Sequence, residues 1–133
     1  MCDETRQDTM TQVLWYWAPA ALYAGLIFYL SAQSHPEDNL PSFLFKEVSD
    51  KVLHAVEYGL LAVLCYRAFR WATGAAIARQ AVVLAILTAS VYGITDEVHQ
   101  AFVPLRESSW QDWLADTIGA AIGAVSWRSI RPE

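Results

Sequence analysis

Residues 13–32 read VLWYWAPAALYAGLIFYLSA, a run of 20 residues without a charged side chain. About 20 residues of α-helix are needed to cross a hydrocarbon core of roughly 30 Å. A cleaved signal peptide is the alternative interpretation, but such a leader begins with a basic segment. Here Asp3, Glu4 and Asp8 outnumber Arg6. The run therefore predicts a first transmembrane helix.

Three more stretches have the length and apolar content of membrane spans. They cover about Val52 to Phe69, about Ile77 to His99 and about Trp110 to Trp127. Ionisable residues interrupt all three, and a soluble helical bundle would explain those charges more easily. A soluble bundle would also give every helix a polar face, however, and residues 81–95 have none. The sequence thus predicts an all-α fold, a membrane-embedded bundle of four transmembrane helices.

The composition agrees with a membrane protein of one domain. Charged residues make up 17% of the 133 residues and hydrophobic residues 55%, whereas a soluble domain carries about 25% charged residues. The formal net charge is −5, with acids and bases in different parts of the chain, and no feature indicates nucleic-acid binding. Cys2 and Cys65 cannot form a disulfide framework, since one lies in a tail and the other in an apolar run. We predict that both are free thiols.

The positions of Lys and Arg predict the orientation in the membrane, because translocated loops are depleted in both. The connection with Arg67, Arg70 and Arg79 contains no acidic residue. If this connection is cytoplasmic, both chain ends are cytoplasmic too. The predicted parts are cytoplasmic tails at residues 1–12 and 128–133, a membrane domain at residues 13–127, and outer connections at residues 33–50 and about 101–109.

The second span begins with a polar cluster. A helix turns about 100° per residue, so Lys51, His54 and Tyr58 share one face. Glu57 lies at the edge of that face, about 9 Å deeper than Lys51. An ionisable group at that depth normally faces a partner or water inside the bundle. We therefore expect Glu57 to turn inward.

The third span ends with a second polar cluster. The helical wheel places Gly93, Asp96, Glu97 and Gln100 within one arc of about 100° and leaves His99 outside it. Two adjacent acids at a membrane surface are most often just a hydrated helix end. These two are followed by further polar residues, namely Arg106, Ser108, Ser109, Asp112 and Asp116. The acids therefore belong to a larger constellation.

The fourth span combines acids with small residues. Asp112, Asp116, Gly119 and Gly123 lie within about 60° of one another on the helical wheel. Small residues at a GxxxG spacing let helices approach closely. This spacing predicts that the packing face of the helix carries both aspartates into the bundle.

Together these residues resemble the VanZ-like family of small bacterial membrane proteins. The similarity covers nearly the whole chain from the first span to the last, at Ser31, Ser34, Asp50, Lys51, His54, Tyr58, Asp96, Glu97, Gln100, Phe102, Pro104, Arg106, Ser109, Asp112, Gly119 and Gly123. Two positions depart from the family pattern, with Leu105 where Gly is typical and Asp116 where Asn is typical. The resemblance implies a place in the bacterial cytoplasmic membrane and an association with resistance to glycopeptide antibiotics, chiefly teicoplanin. It implies no established reaction.

The candidate site carries more negative than positive charge. Its members are the acids Glu57, Asp96, Glu97, Asp112 and Asp116, the fixed cations Lys51 and Arg106, and the titratable His54. Like charges in a poorly hydrated site cannot all stay ionised, so either some carboxyls hold protons or a cation binds. Oxygen ligands with one imidazole suit Mg²⁺ or Mn²⁺.

The candidate residues divide by chemistry into two groups. His54, Asp96 and Glu97 are the candidate catalytic residues, since carboxyl and imidazole groups transfer protons. The candidate binding residues are Lys51, Glu57, Tyr58, Gln100, Arg106, Ser109, Asp112 and Asp116. In this set an Arg would hold a phosphate or carboxylate by a bidentate fork and a Lys as a point charge.

Three functions fit this constellation. It could bind the head group of a lipid-linked or cell-wall precursor, or affect access to a glycopeptide antibiotic. It could instead form a hydrolase or transferase acting on a lipid-linked phosphate head group. In a purely structural alternative, the charges only tie the helices together, although buried ion pairs often stabilise little. The sequence leaves all three open.

Overall fold

The protein is described by a computed structural model at residues 2–34 and 50–131, with side chains from Arg6 onward. These residues form helices and no strand. The helices are α1 (Cys2–Ser31), α2 (Asp50–Trp71), α3 (Ala75–Ala78), α4 (Ala81–Gln100) and α5 (Trp110–Ile130). The predicted all-α fold is confirmed, while most of the outer connection at residues 33–50 lies outside the described residues.

Hydrogen bonds between helices fix the directions in which they run. Gln12 Nε2 in α1 donates to the carbonyl of Trp71 at the end of α2, at 2.8 Å. Gln100 Nε2 at the end of α4 donates to Ser31 Oγ at the end of α1, at 3.4 Å. Helix α1 is therefore antiparallel to α2 and parallel to α4. Helix α5 begins beside the end of α4 and packs mainly on α2 and α4.

Three of the helices are long and apolar enough to cross a membrane, namely α1 over Arg6–Ser31, α2 and α4. Helix α5 has 21 residues, about 30 Å at the usual rise, but Asp112 and Asp116 lower its hydropathy. The count of four spans thus stays a prediction. The predicted start of the third span at Ile77 is wrong, because the exposed polar pair Arg79 and Gln80 forms a turn before α4 begins.

Many large apolar side chains point outward, and small residues form much of the interior. In α4 the residues Ala81, Ala85, Ala89 and Gly93 are buried, one turn apart. The bulky residues on the other faces are exposed, namely Val83, Leu87, Val91, Ile94 and Val98 in α4, Val52, Val56 and Leu60 in α2, and Ile118 and Ile122 in α5. This distribution reverses that of a soluble protein. It is expected of helices that pack through small residues and face lipid.

The closest helix contact joins α2 to α5. A Cβ atom added at Gly119 would overlap the backbone carbonyl of Ala55, and one added at Gly123 would overlap that of Gly59. The predicted close approach through the GxxxG spacing is confirmed. Asp112 and Asp116 lie on the same face of α5 and are buried with it, as predicted. Cys65 is a buried free thiol, and the Cys2 side chain lies outside the described residues.

Candidate functional site

The buried polar side chains gather at one end of the bundle. The first turns of α2 and α5 meet there with the last turns of α1 and α4. All the buried polar or charged side chains of the described residues belong to this end, namely Ser31, His54, Asp96, Glu97, Gln100, Asp112 and Asp116. We call these residues the polar cluster. The other buried side chains of the described residues are hydrophobic, so the cluster is a localised feature of the fold.

The centre of the polar cluster is a contact between α2 and α5. His54 Nδ1 lies 2.8 Å from Asp116 Oδ1, and Asp116 is 0% exposed. Asp116 Oδ2 has no hydrogen-bond partner among the described residues. A Cβ atom at Gly93 would lie 3.0 Å from that oxygen. A side chain at position 93 would therefore crowd this carboxylate, and Gly93 avoids that contact.

The rim of the polar cluster carries an ion pair and an additional acid. Lys51 pairs with Asp112, the lysine half-exposed and the aspartate buried. Asp50 Oδ2 lies 4.0 Å from His54 Nε2, so the imidazole is placed between Asp116 on its inner side and Asp50 on its outer side. Asp50 was absent from the predicted site residues. Its position four residues before His54, on the same helix face, was the signal that could have found it.

Glu97 ties the connection after α4 to the start of α5. Its Oε2 accepts from the backbone N–H of Ser109 at 2.7 Å and from the Ser108 hydroxyl at 3.2 Å. Ser109 in turn caps α5, because its hydroxyl accepts from the Gln111 N–H at 3.2 Å. The other oxygen, Glu97 Oε1, is buried without a partner among the described residues. One oxygen thus has a structural role and the other is available to a ligand.

Asp96 and Gln100 form the hydrogen bonds that connect the end of α4 to the end of α1. Gln100 Nε2 donates to Asp96 Oδ2 at 3.0 Å and to Ser31 Oγ at 3.4 Å. Asp96 Oδ1 is buried and has no partner in the described part of the chain. The predicted arc of α4 is confirmed, since all four of its residues are buried. His99 lies outside that arc as predicted and stacks on Phe28, with ring centroids 4.4 Å apart.

An open cavity of about 470 Å³ lies over the polar cluster. Its lining residues are Asp50, Lys51, His54, Gln100, Leu105, Arg106, Glu107, Ser109, Gln111 and Asp112. Arg106 is partly buried and forms no ion pair with a carboxylate of the described residues. Glu107 and Gln111 were not predicted. Glu107 lies in the connection between α4 and α5, which has no helical periodicity to reveal it, and Gln111 lies in the first turn of α5.

The structure brings most of the predicted site residues together at one end of the bundle. Lys51, His54, Gln100, Arg106, Ser109 and Asp112 line the cavity, and Asp96, Glu97 and Asp116 lie in the cluster beneath it. Glu57 and Tyr58 do not line the cavity. Tyr58 is fully buried and packs near Gly93. The two residues therefore lie beside the site rather than in its wall.

The donor atoms could hold a cation at two overlapping positions. Ligand atoms of His54, Glu97 and Asp116 all lie within 4.8 Å of one another, and so do those of Asp50, His54 and Asp112. Glu97 and Asp116 of the inner set each have one buried oxygen without a partner among the described residues. Carboxylate oxygens with one imidazole suit Mg²⁺ or Mn²⁺. The geometry thus fits the predicted divalent cation, with His54 common to both sets.

The fold and the polar cluster define a class of protein: small all-helical membrane proteins with a buried polar site at one end of the bundle. Within that class, the chain belongs to the VanZ/LLP1 family, whose sequence profile matches residues 5–131. The match covers nearly the whole chain and confirms the resemblance. No curated protein and no solved structure gives a significant match.

Proposed function

We propose that this protein binds the head group of a lipid-linked or cell-wall precursor at the outer face of the bacterial cytoplasmic membrane. One observation carries the proposal. A cavity opens beside the membrane helices over a buried cluster of acids, and its wall presents Arg106 without an ion-pair partner among the described residues. A cluster that served only to hold the helices together would have no need of such an opening.

The charges of the cavity favour a phosphate bound together with a cation. Lys51 is neutralised by Asp112, whereas Arg106 keeps its planar fork available for bidentate binding of a phosphate. The acids of the cluster would repel an anion that entered alone. Mg²⁺ is usually held by one or two carboxylates together with substrate phosphates. A cation at His54, Glu97 and Asp116 would therefore offset the repulsion.

The distribution of basic residues supports an outer position for the cavity. Lys51 and Arg106 are the described Lys and Arg residues at this end. The other end has six arginines in the same described ranges, namely Arg6, Arg67, Arg70, Arg79, Arg128 and Arg131. Cytoplasmic loops are enriched in such residues. The VanZ name suggests a link to glycopeptide resistance, chiefly to teicoplanin, and precursor binding would alter the access of such an antibiotic to its target.

A second function, a membrane-embedded hydrolase or transferase, is favoured by the contact between His54 and Asp116. A buried carboxylate 2.8 Å from one imidazole nitrogen fixes the ring orientation, as in nucleophile–base–orienter arrangements. The other nitrogen faces the rim, where a lipid-linked phosphate would lie. His54 would then transfer a proton during turnover.

The binding function is tested by purifying the full-length protein in native lipid and identifying the retained head groups by mass spectrometry. We expect a lipid-linked precursor on the parent and much less of it on Arg106→Ala, because the guanidinium that would bind its phosphate is removed. Arg6→Ala, which removes an exposed arginine of α1 at the opposite end of the bundle, is the matched control and should retain the lipid. Recovery of no specific lipid, with Arg106→Ala equal to the parent, would leave only the structural alternative.

The same preparation separates binding from catalysis. The retained lipid is incubated with and without Mg²⁺ and analysed for conversion. Proton transfer contributes about 10²- to 10⁴-fold to a rate, so His54→Gln in an enzyme should keep the lipid bound yet abolish its conversion. A lipid that stays unchanged on the parent under every condition argues against the hydrolase and for the binder.

A further inference from the structure

A second cavity lies at the opposite end of the bundle. It measures about 410 Å³ and is lined by Tyr66, Arg70, Ala78, Arg79, Ala81, Val82, Arg128 and Arg131. We call it the arginine cavity. Four guanidinium groups line it, contributed by the end of α2, the turn before α4 and the end of α5. None of the lining residues in the described part of the chain is acidic, so the described wall of the cavity concentrates positive charge.

The arginines at this end differ in what surrounds them. Arg67 is not in the cavity lining. It packs on two rings, 5.7 Å from the Tyr16 centroid and 6.0 Å from that of Trp127. Arg131 packs over the Trp127 ring at 5.6 Å. Arg79 and Arg128 are exposed, and no carboxylate of the described residues pairs with them. Guanidinium groups that share a cavity repel one another, and a bound anion relieves this repulsion.

The position of the arginine cavity indicates where the anion comes from. Arg70 lies one residue before the end of α2, and Arg128 lies in the last turn of α5. The cavity is therefore at the level where membrane helices meet the head-group layer. Exposed Ile77 and Ile130 are adjacent in sequence to the lining residues Ala78 and Arg131 and would provide apolar surface for acyl chains. A free anion would not contact this apolar surface, whereas the acyl chains of a lipid would.

We propose that the arginine cavity binds the phosphate of an anionic phospholipid in the leaflet opposite to the polar cluster. Guanidinium forks match phosphate oxygens in a bidentate geometry. Basic pockets between membrane helices are suited to phospholipid head groups. A volume of about 410 Å³ has room for a head group in addition to its phosphate. The bound lipid would join the ends of α2 and α5 to the turn before α4.

The experiment titrates the full-length protein in detergent with short-chain phosphatidylglycerol, phosphatidylcholine or inorganic phosphate, and measures binding by native mass spectrometry. We expect phosphatidylglycerol to bind most tightly. Each of Arg79→Gln and Arg128→Gln should weaken it about tenfold or more, the usual effect of losing a charge-assisted hydrogen bond. Arg6→Gln, which removes an exposed arginine of α1 outside the cavity lining, should leave it unchanged.

Three outcomes would overturn the proposal. Equal affinity for phosphatidylglycerol and phosphatidylcholine would remove the role of net charge. An equal loss in Arg6→Gln would reduce the effect to general surface charge. Displacement of the lipid by millimolar inorganic phosphate would assign the cavity to a free anion. The charge-retaining variants Arg79→Lys and Arg128→Lys should keep most of the affinity, which guards against a loss caused by misfolding.

Discussion

The backbone of Leu105 adopts a φ of 64°, a conformation that costs a non-glycine residue roughly 1–2 kcal/mol. Its side chain is 79% exposed, so little packing compensates for that cost. Leu105→Gly should therefore raise the free energy of unfolding by about 1 kcal/mol, measured by thermal unfolding in detergent. Leu105→Ala removes the same exposed side chain and keeps the strain. An equal gain in both variants would show that the backbone is not the cause.

We predict that the charge of Asp116 determines how tightly the polar cluster binds a cation. Asp116→Asn preserves a side chain that can contact His54 but removes one negative charge from the inner ligand set. We expect Mn²⁺ to bind the parent and to bind Asp116→Asn at least tenfold more weakly, since affinity follows ligand charge. Electron paramagnetic resonance of the purified protein measures the Mn²⁺ affinity. Asp8→Asn, exposed on α1, is the control, and a parent that binds no Mn²⁺ would contradict the prediction.

At the residue scale, the sequence predicted which side chains are buried better than it predicted which side chains contact each other. The spacing of Asp116 and Gly119 placed the acid on a packing face, because both lie on one helix whose geometry is known. The contact of Asp116 with His54 depends on the register between α2 and α5, which no pattern within either helix determines. For the same reason the sequence did not show that Ser109 holds Glu97.

At the element scale, the packing of α5 on α2 depends on the missing side chain of Gly119. A methyl group there would overlap the Ala55 carbonyl, so Gly119→Ala must push the helices apart. We expect a loss of about 1–3 kcal/mol or more in the free energy of unfolding, together with weaker Mn²⁺ binding as the polar cluster opens. Gly25→Ala in α1 meets nothing within 4 Å and should be neutral or slightly stabilising. Thermal unfolding of the two variants compares them, and equal behaviour would contradict the close approach.

The elements also show where sequence patterns stop being informative. The helical wheel placed the buried arcs of α4 and α5 correctly, because those arcs depend only on the pitch of a helix. The sequence predicts a start at Ile77 instead of Ala81 because the short helix α3 before it is also apolar. Its residues therefore read as the first turn of the span. The exposed turn at Arg79 and Gln80 separates the two helices in the structure. In the sequence it is only two polar residues within an otherwise apolar stretch.

For the whole molecule, we predict that both chain ends lie in the cytoplasm and that the connection after α1 lies outside. A cysteine placed at Asn39, which lies outside the described residues, should react with a membrane-impermeant thiol reagent only from the outer side. Ala75→Cys, exposed between α2 and α4, should react only from the cytoplasmic side. The buried Cys65 thiol gives little background once Cys2 is changed to Ser. Labelling of position 39 from the cytoplasm alone would reverse the orientation.

The separation of charge between the two ends also affects how the molecule responds to the voltage across its membrane. Moving one elementary charge through a potential of about 100 mV changes the free energy by roughly 2.3 kcal/mol. In the predicted orientation, the arginine-rich end lies on the electrically negative side and the acidic polar cluster on the positive side. An energised membrane therefore favours this orientation over the inverted one. The same membrane potential drives divalent cations from the outside toward the cytoplasm. An acidic cavity that faces outward would therefore lie on the side from which these cations arrive.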